Sequence, residues 1–362
     1  MTKNAGKRKK STQALSSPNG ILHNSSIAEL LALAAETAKM PLQKALRRAS
    51  RKAFLWPEEA AIILEEGRPL TELPGIGPTL SRIIRNWVEV PPVVPNPPDI
   101  RQNFLTSTEA RAILEKKPEW VAALKGDLQM HTEWSDGSGS IEEMARAASE
   151  RGYEFIAITD HSKGLKITGG INEEELQRQG QQIDALNAQF RSEGLRIQVL
   201  RSVELNLDPA GTGDMDRESL QRLDLVLGCF HSALRRKEDQ TERYVAALRN
   251  PDVHILGHPR GRIYNYRLGL QADWERVFGV AAELDKAVEI DGYPDRQDLS
   301  VDLLRLGKKW GCRISLGTDS HDPLQLRFMN YSLAAAIRAG IKQDRILNFL
   351  PVNLLREWAT KA

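Results

Sequence analysis

Residues 126–137, Gly-Asp-Leu-Gln-Met-His-Thr-Glu-Trp-Ser-Asp-Gly, constrain the fold more than any other stretch of the chain. Leu128 and Met130 alternate with polar residues, so a short strand is expected that gives way to a loop at Thr132. His131 and Asp136 then stand where strand passes into loop, the place where catalytic groups collect in an α/β barrel. Alone, one His and one Asp are ordinary loop residues. The pattern, however, repeats. Thr159-Asp160-His161, Val203-Glu204, Phe230-His231, Gly257-His258-Pro259 and Thr318-Asp319-Ser320-His321 each close an apolar or β-branched run. Five of the seven histidines therefore end an expected strand, which chance placement does not give.

From Gly126 onward, strands and helices alternate, the pattern of a parallel sheet with crossover helices. Strands are expected near 127–131, 155–160, 196–205, 223–230, 253–257, 287–291 and 312–318. Helices fall near 140–151, 172–193, 239–249, 272–282, 298–310, 330–338 and 343–349. Acidic and imidazole groups at so many strand ends favour a barrel, because an open sheet gathers its ligands at one switch point.

Upstream the chain reads differently. Residues 1–20 are polar and basic, with almost nothing to bury, and are expected to be disordered. A helix follows, capped by Ser25 or Ser26, then a basic helix over 42–54 with Arg47, Arg48, Arg51 and Lys52 on one flank. Pro57 is expected at the first position of a third helix, 58–66. Leu73-Pro74-Gly75-Ile76-Gly77-Pro78 then makes a tight turn into an amphipathic helix. Such a turn serves either as a plain interhelical connection or as a cradle in which backbone N–H groups meet a phosphate. Residues 1–56 carry eleven Lys or Arg against Glu29 and Glu36, whereas the whole chain has a net charge of only +2. A basic head on an acidic body points to a polyanionic partner for the head. Five prolines within 91–98 mark a semi-rigid linker, and 107–124 look helical beside the next domain. The expected domains are thus a tail over 1–20, a helical head over 21–90, a connector over 91–125 and a catalytic domain over 126–362.

The strand ends supply carboxylates from Asp136, Glu204 and Asp319 and imidazoles from His131, His161, His231, His258 and His321. One ion takes about four to six ligands, so these eight imply two or three ions (Mn, Zn or Fe) sharing a carboxylate. Clustered ions stabilise both the attacking and leaving oxygens of a phosphoryl displacement, so phosphoester hydrolysis is the expected chemistry. Asp160 is read as an acceptor that fixes an imidazole tautomer. Lys163, Arg235, Arg260 and Arg262 follow the ligand positions, and Arg260 and Arg262 are favoured for neutralising substrate phosphate. His254 is read as a core or interface residue and His23 as solvated. Cys229 and Cys312 sit in apolar runs as reduced thiols, which with the absence of a signal segment suggests a cytoplasmic protein. No apolar run approaches the ~20 residues that span a bilayer, so no membrane partner is expected.

Taken together, DLQMHTEWSDG, ITDHS, CFHS, LGHPRGR, VEIDGYPDRQDLS and GTDSHDP resemble the PHP (polymerase and histidinol phosphatase) domain over residues 126–362. The resemblance is nearest to the PHP region of bacterial family-X DNA polymerases. Residues 26–90 look like the helical N-terminal domain of those enzymes, with the ELPGIG turn as a helix-hairpin-helix motif. The stretch 91–125 is too short to hold a polymerase palm, so polymerisation is excluded. What the resemblance implies is a distorted (β/α)7 barrel behind a small all-α head. It implies His131, Glu204 and Asp319 at one metal, Glu204, His231 and His258 at a second, and Asp136, His161 and His321 at a third. Gln129 stands where the family's first motif usually has histidine, which implies a weak amide ligand there. DNA backbone contacts would fall on Gly75, Gly77, Thr79 and Arg82. The expected function is a metal-dependent phosphoesterase acting on DNA ends, as a 3′–5′ exonuclease or 3′-phosphatase in repair. A small-molecule phosphatase of the histidinol-phosphatase kind is the alternative among enzymes, and a DNA-binding scaffold with structural metal is the alternative outside them.

Overall fold

The computed structural model describes residues 21–362 and divides into two compact units, one ending at Gln102 and one from Asn103 to Ala362. The basic tail expected over residues 1–20 lies outside the described residues.

The first unit is built from α1 (Asn24–Thr37), α2 (Leu42–Lys52), α3 (Ala60–Glu65) and α4 (Pro78–Glu89). Neither expected start in α1 nor in α3 holds, for one shared reason. The Asn24 side chain accepts from the Ala60 N–H at 3.0 Å and donates to the Glu58 carbonyl at 2.8 Å. Glu59 in return accepts the Asn24 N–H at 2.7 Å. Both helices therefore start at residues that hold each other, and Ser25, Ser26 and Pro57 play no capping part. Buried Trp56 donates its indole N–H to the Pro74 carbonyl at 3.2 Å and so pins the 73–78 turn. A three-residue 3-10 turn, Leu70–Glu72, precedes it. Gly75 is left-handed at φ +84°, and a side chain there would meet the Lys52 stem at 2.7 Å. At its other end the proline run is tied down. Arg101 is buried and pairs with both oxygens of Glu29 at 2.8 Å.

The second unit opens with α5 (Ser107–Leu114) and α6 (Pro118–Ala123). Its strands are β1 (Gly126–Asp127), β2 (Phe155–Ile158), β3 (Gln198–Arg201), β4 (Glu204–Asn206), β5 (Leu227–Cys229), β6 (Ile255–Leu256), β7 (Ala287–Asp291) and β8 (Arg313–Gly317). Between them run α7 (Ile141–Glu150), α8 (Glu173–Ser192), α9 (Arg217–Leu220), α10 (Thr241–Arg249), α11 (Trp274–Glu283) and α12 (Val301–Trp310). After β8 come α13 (Met329–Ala339) and α14 (Val352–Ala359). Every strand pair is parallel and neighbours follow chain order, β1 to β3 in one sheet and β4 to β8 in another. All four residues of β2 and all five of β7 are buried, as in parallel sheets covered on both faces. Reciprocal capping boxes, Thr106 with Glu109, Ser140 with Glu143 and Asn172 with Glu175, start α5, α7 and α8.

Two expectations fail here for identifiable reasons. The single strand expected over 196–205 is broken after Arg201, because β3 pairs with β2 whereas β4 pairs with β5. The helix expected over 343–349 is two tight turns, because fully buried Asn348 spends its side chain elsewhere. It accepts from the Leu316 N–H at 2.8 Å and donates to the carbonyls of Leu316 and Gly126 at 2.8 and 2.9 Å. Asn348→Ala strands the Leu316 N–H and the Gly126 carbonyl, while the Leu316 carbonyl keeps the Leu128 N–H, and is expected to cost about 2 kcal/mol or more. Denaturant midpoints measure that cost, and a loss below about 0.5 kcal/mol would refute the role given to the amide.

Outside the regular strands, the Glu204 N–H donates to Asp160 O at 3.2 Å and joins the two sheets. The Leu128 N–H to Leu316 O bond at 3.2 Å and the His131 N–H to Ser320 O bond at 2.7 Å lay the first strand's continuation beside the last. Among the described residues no helix is long and apolar enough to cross a membrane.

Candidate metal centre

The carboxyl ends of the parallel strands converge on Glu204, the first residue of β4, whose carboxylate is almost wholly buried. His231 Nε2 lies 2.7 Å and His258 Nε2 2.8 Å from Glu204 Oε1, with His161 Nδ1 at 3.7 Å. His131 Nε2 lies 3.2 Å from Glu204 Oε2 and 2.9 Å from Asp319 Oδ1. Asp136 Oδ1 is 3.3 Å from His321 Nε2 and 3.6 Å from His161 Nε2. The imidazoles of His161 and His321 each stack on that of His131, with centroids 4.4 Å apart. All eight residues expected as ligands are thus brought together, in overlapping groups of three or four whose donor atoms lie within 4.8 Å of one another.

The donor set fits cations. His131 is fully buried, yet both its ring nitrogens lack a hydrogen-bond partner, as does Nδ1 of His161. His131 Nε2 is close to two carboxylate oxygens but not directed to donate to either. Lone pairs that converge on one point instead of on each other are what ligands of a common ion present. Backbone strain supports the same reading, since His258 and Asp319 both have positive φ, +22° and +52°. Charge is balanced inside the cluster. Burial alone would raise the Glu204 carboxyl, but His161 and His258 hold it well below the usual carboxylate range. Burial likewise opposes the charge on His131, which Asp319 and Glu204 nevertheless keep well above the ordinary imidazole value. Burial lowers His161 to about 3.

The outer partners differ from expectation. Asp160 touches no imidazole. It is fully buried and accepts from the Thr132 N–H at 2.8 Å, the Thr132 hydroxyl at 2.6 Å, Ser135 at 2.5 Å and Gln179 at 2.7 Å. Its work is to hold the 132–135 loop that carries Asp136. Arg262 is buried over the Phe104 ring at 3.7 Å and donates to the Asn103 carbonyl at 3.0 Å. Arg260 donates to the Leu268 carbonyl at 2.9 Å. Backbone carbonyls take both guanidiniums away from the cluster, that of Leu268 in its own loop for Arg260 and that of Asn103, distant in sequence, for Arg262. The group that does reach it is Arg296, ion-paired to Asp319 and 3.8 Å from Asp291. Gln129 presents its nitrogen, not its oxygen, donating to Glu204 Oε2 at 2.9 Å, because the carboxylate attracts a donor. Asn206 was not foreseen: its Oδ1 lies 3.1 Å from His231 Nδ1 and orients that ring. His254 is a core residue, with Nδ1 accepting the Val226 N–H at 3.0 Å. Lys163 is taken by Glu173 at 2.5 Å.

The sequence model of the PHP domain matches residues 127–309. The DNA polymerase/3′-5′ exonuclease PolX of Bacillus subtilis is 35% identical over 256 residues, 70% of this chain but only 43% of that protein. The chain therefore spans less than half the length of that relative. A probable phosphatase of Thermoanaerobacter is 30% identical over 235 residues, 61% of this chain and 89% of its own length. Among solved structures, the histidinol phosphate phosphatase of Lactococcus lactis, complexed with zinc, L-histidinol and phosphate, aligns at a TM-score of 0.42 and 20% identity. That alignment covers 60% of this chain and 94% of the phosphatase.

Proposed function

The chain belongs to the PHP domain family and is a hydrolase of phosphoester bonds, and on that premise we propose that it acts on DNA ends with bound divalent ions. In this reading it removes nucleotides as a 3′–5′ exonuclease, or a terminal phosphate, in DNA repair. The second unit is read as one closed, distorted (β/α)7 barrel, with β3 and β4 sharing a position and the cluster at its mouth. His131, Glu204 and Asp319 would hold one ion, Glu204, His231 and His258 a second, and Asp136, His161 and His321 a third. Mn, Zn and Fe suit this mixture of imidazole and carboxylate. Bound there, such ions polarise the phosphoryl group and make water a stronger acid. Arg296, beside Asp319, would neutralise the phosphate, the role expected of Arg260 and Arg262. Asn206 and Asp160 keep the ring of His231 and the loop of Asp136 in place.

The observation that carries the DNA reading is the likeness to the polymerase/exonuclease along 70% of this chain. The first unit supports it. Gly75, Gly77, Thr79 and Arg82 are exposed at the start of α4, and Lys44, Arg47, Arg48 and Arg51 are exposed on α2. A helix start with neighbouring free cations suits a nucleic-acid backbone gripped without base readout. The likeness to a probable phosphatase along 89% of that protein favours a second reading, a small-molecule phosphatase.

One experiment separates the two. Metal-reconstituted full-length protein is offered 3′-labelled DNA and a simple aryl phosphomonoester, with DNA binding followed across salt concentrations. DNA-end hydrolysis is expected to prevail, with log–log salt slopes of roughly −0.7 per single-strand phosphate contacted. Turnover of the small ester alone, with no salt-dependent DNA binding, would establish the second reading instead.

A further inference from the structure

Hydrolysis of a bare phosphate needs nothing beyond the cluster and a cation, yet the loops around it carry more. Tyr266 lies beyond β6 on a turn closed by two backbone bonds between Ile263 and Arg267, at 2.8 and 2.9 Å. Tyr266 is 53% exposed, among the most exposed aromatic residues described. The guanidinium carbon of Arg235, on the loop beyond β5, stands 4.7 Å from the centre of that ring. Arg235 is itself exposed and has no carboxylate partner among the described residues. The roots of these two loops are His231 and His258, the pair that shares Glu204 Oε1. The cation–aromatic couple therefore rises from one corner of the cluster.

A line of charge connects the two. Arg267 follows Tyr266, donates to the Gly261 carbonyl and is half-buried. Burial lowers its pKa, and the nearby guanidiniums of Arg296 and Arg235 lower it further. A side chain at Gly261 would meet Leu234 at 3.1 Å and the Arg267 guanidinium at 3.6 Å, and the Tyr264 N–H donates to the Asp295 carbonyl at 2.7 Å, so the turn of Arg267 packs against the loops of both Arg235 and Arg296. Arg296 is ion-paired with Asp319 of the cluster. Three cations that repel one another, running from the reacting centre to an exposed ring, are stabilised by an extended polyanion and not by a single phosphate. A flat aromatic face backed by a cation is what an organic base stacks upon.

We propose that Tyr266, backed by Arg235, is a stacking platform for a nucleobase of the bound strand, whose phosphates follow Arg235, Arg267 and Arg296 into the cluster. This deepens the DNA-end reading and rests on it. Stacking is indifferent to base identity, so the platform confers a requirement for a base without sequence preference.

The test uses the full-length, metal-loaded protein and two 3′-labelled single-stranded oligonucleotides of equal length, one normal and one with its last three nucleotides abasic. Wild type is expected to have a KM for the normal strand roughly 5- to 100-fold below that for the abasic one. Tyr266→Ala should raise KM on the normal strand by about that factor, leave the abasic strand unchanged and spare kcat on an aryl phosphomonoester. Tyr266→Phe keeps the ring and should behave as wild type, which separates lost stacking from lost folding. Equal KM values for both strands in wild type, or a Tyr266→Ala protein as effective as wild type on the normal strand, would overturn the platform while leaving DNA-end hydrolysis standing. Hydrolysis of the aryl ester with neither strand cleaved would remove the DNA reading and the platform with it.

Discussion

Glu204→Gln is expected to lower phosphoester hydrolysis by well over 100-fold and to release more than one equivalent of metal on dialysis. The amide keeps the shape of the side chain but removes the charge on which His131, His161, His231 and His258 converge. Disturbing an outer partner of a metal ligand already costs about 10- to 100-fold. A carboxylate shared between two candidate ions should cost more. Elemental analysis of dialysed protein and rates at saturating metal are the measurements, with circular dichroism to show that the fold persists. Retention of the full metal content would mean that Glu204 is an acceptor for histidines and not a ligand.

The second large effect is on stability, and its sign follows from two buried acids. Burial pushes Asp127 up to about 7 and Glu289 up to about 8. In the unfolded chain both ionise near the ordinary carboxylate value of about 4. Between that value and 8 the folded protein holds protons that the unfolded chain has lost, so metal-free stability should fall as pH rises across this window. The upper limit is about 4 kcal/mol for Asp127 and about 5 kcal/mol for Glu289. His131, held high, adds in the same direction. His161 and His254, lowered by burial to about 3 and about 4, oppose it below the ordinary imidazole value of about 6.5, and Glu204 and Asp319, held low, act only at more acidic pH. Denaturant midpoints of chelated protein at pH 5 and pH 8 measure the effect, and Glu289→Gln should flatten the curve. Identical slopes in wild type and Glu289→Gln would remove Glu289 as a cause.

The ligand residues were legible because a metal cluster at strand ends leaves a local signature: an apolar run that stops on His, Asp or Glu. Each of His131, His161, His231 and His258 carries that signature by itself. What failed was direction. Arg260 and Arg262 follow His258 closely, but whether a side chain points to the mouth or back into its own loop depends on which carbonyls lie near, such as that of Asn103, far away in sequence. Nothing in the sequence around Arg296 marks it as the cation that meets Asp319, which lies 23 positions further on. Ser202 and Val203 conceal a crossing between sheets, since an apolar run looks the same whether or not the strand is continuous. Asn348 could not be read at all, because an asparagine in an apolar stretch gives no sign of which strands it will bridge.

That same asparagine sets an order of events during synthesis. Its side chain ties the carbonyl of Gly126 to both backbone groups of Leu316, partners separated from it by 222 and 32 residues. Contacts of such long range form late, because the chain between must first be gathered. While the ribosome is still making residues before 348, the first strand can dock on the second and its continuation can reach Leu316 and Ser320, but the Gly126 carbonyl still lacks the amide that ties it to the last strand. The catalytic unit should therefore remain open to proteases and chaperones until the end of its own translation, whereas the helical unit, complete by residue 102, can fold long before.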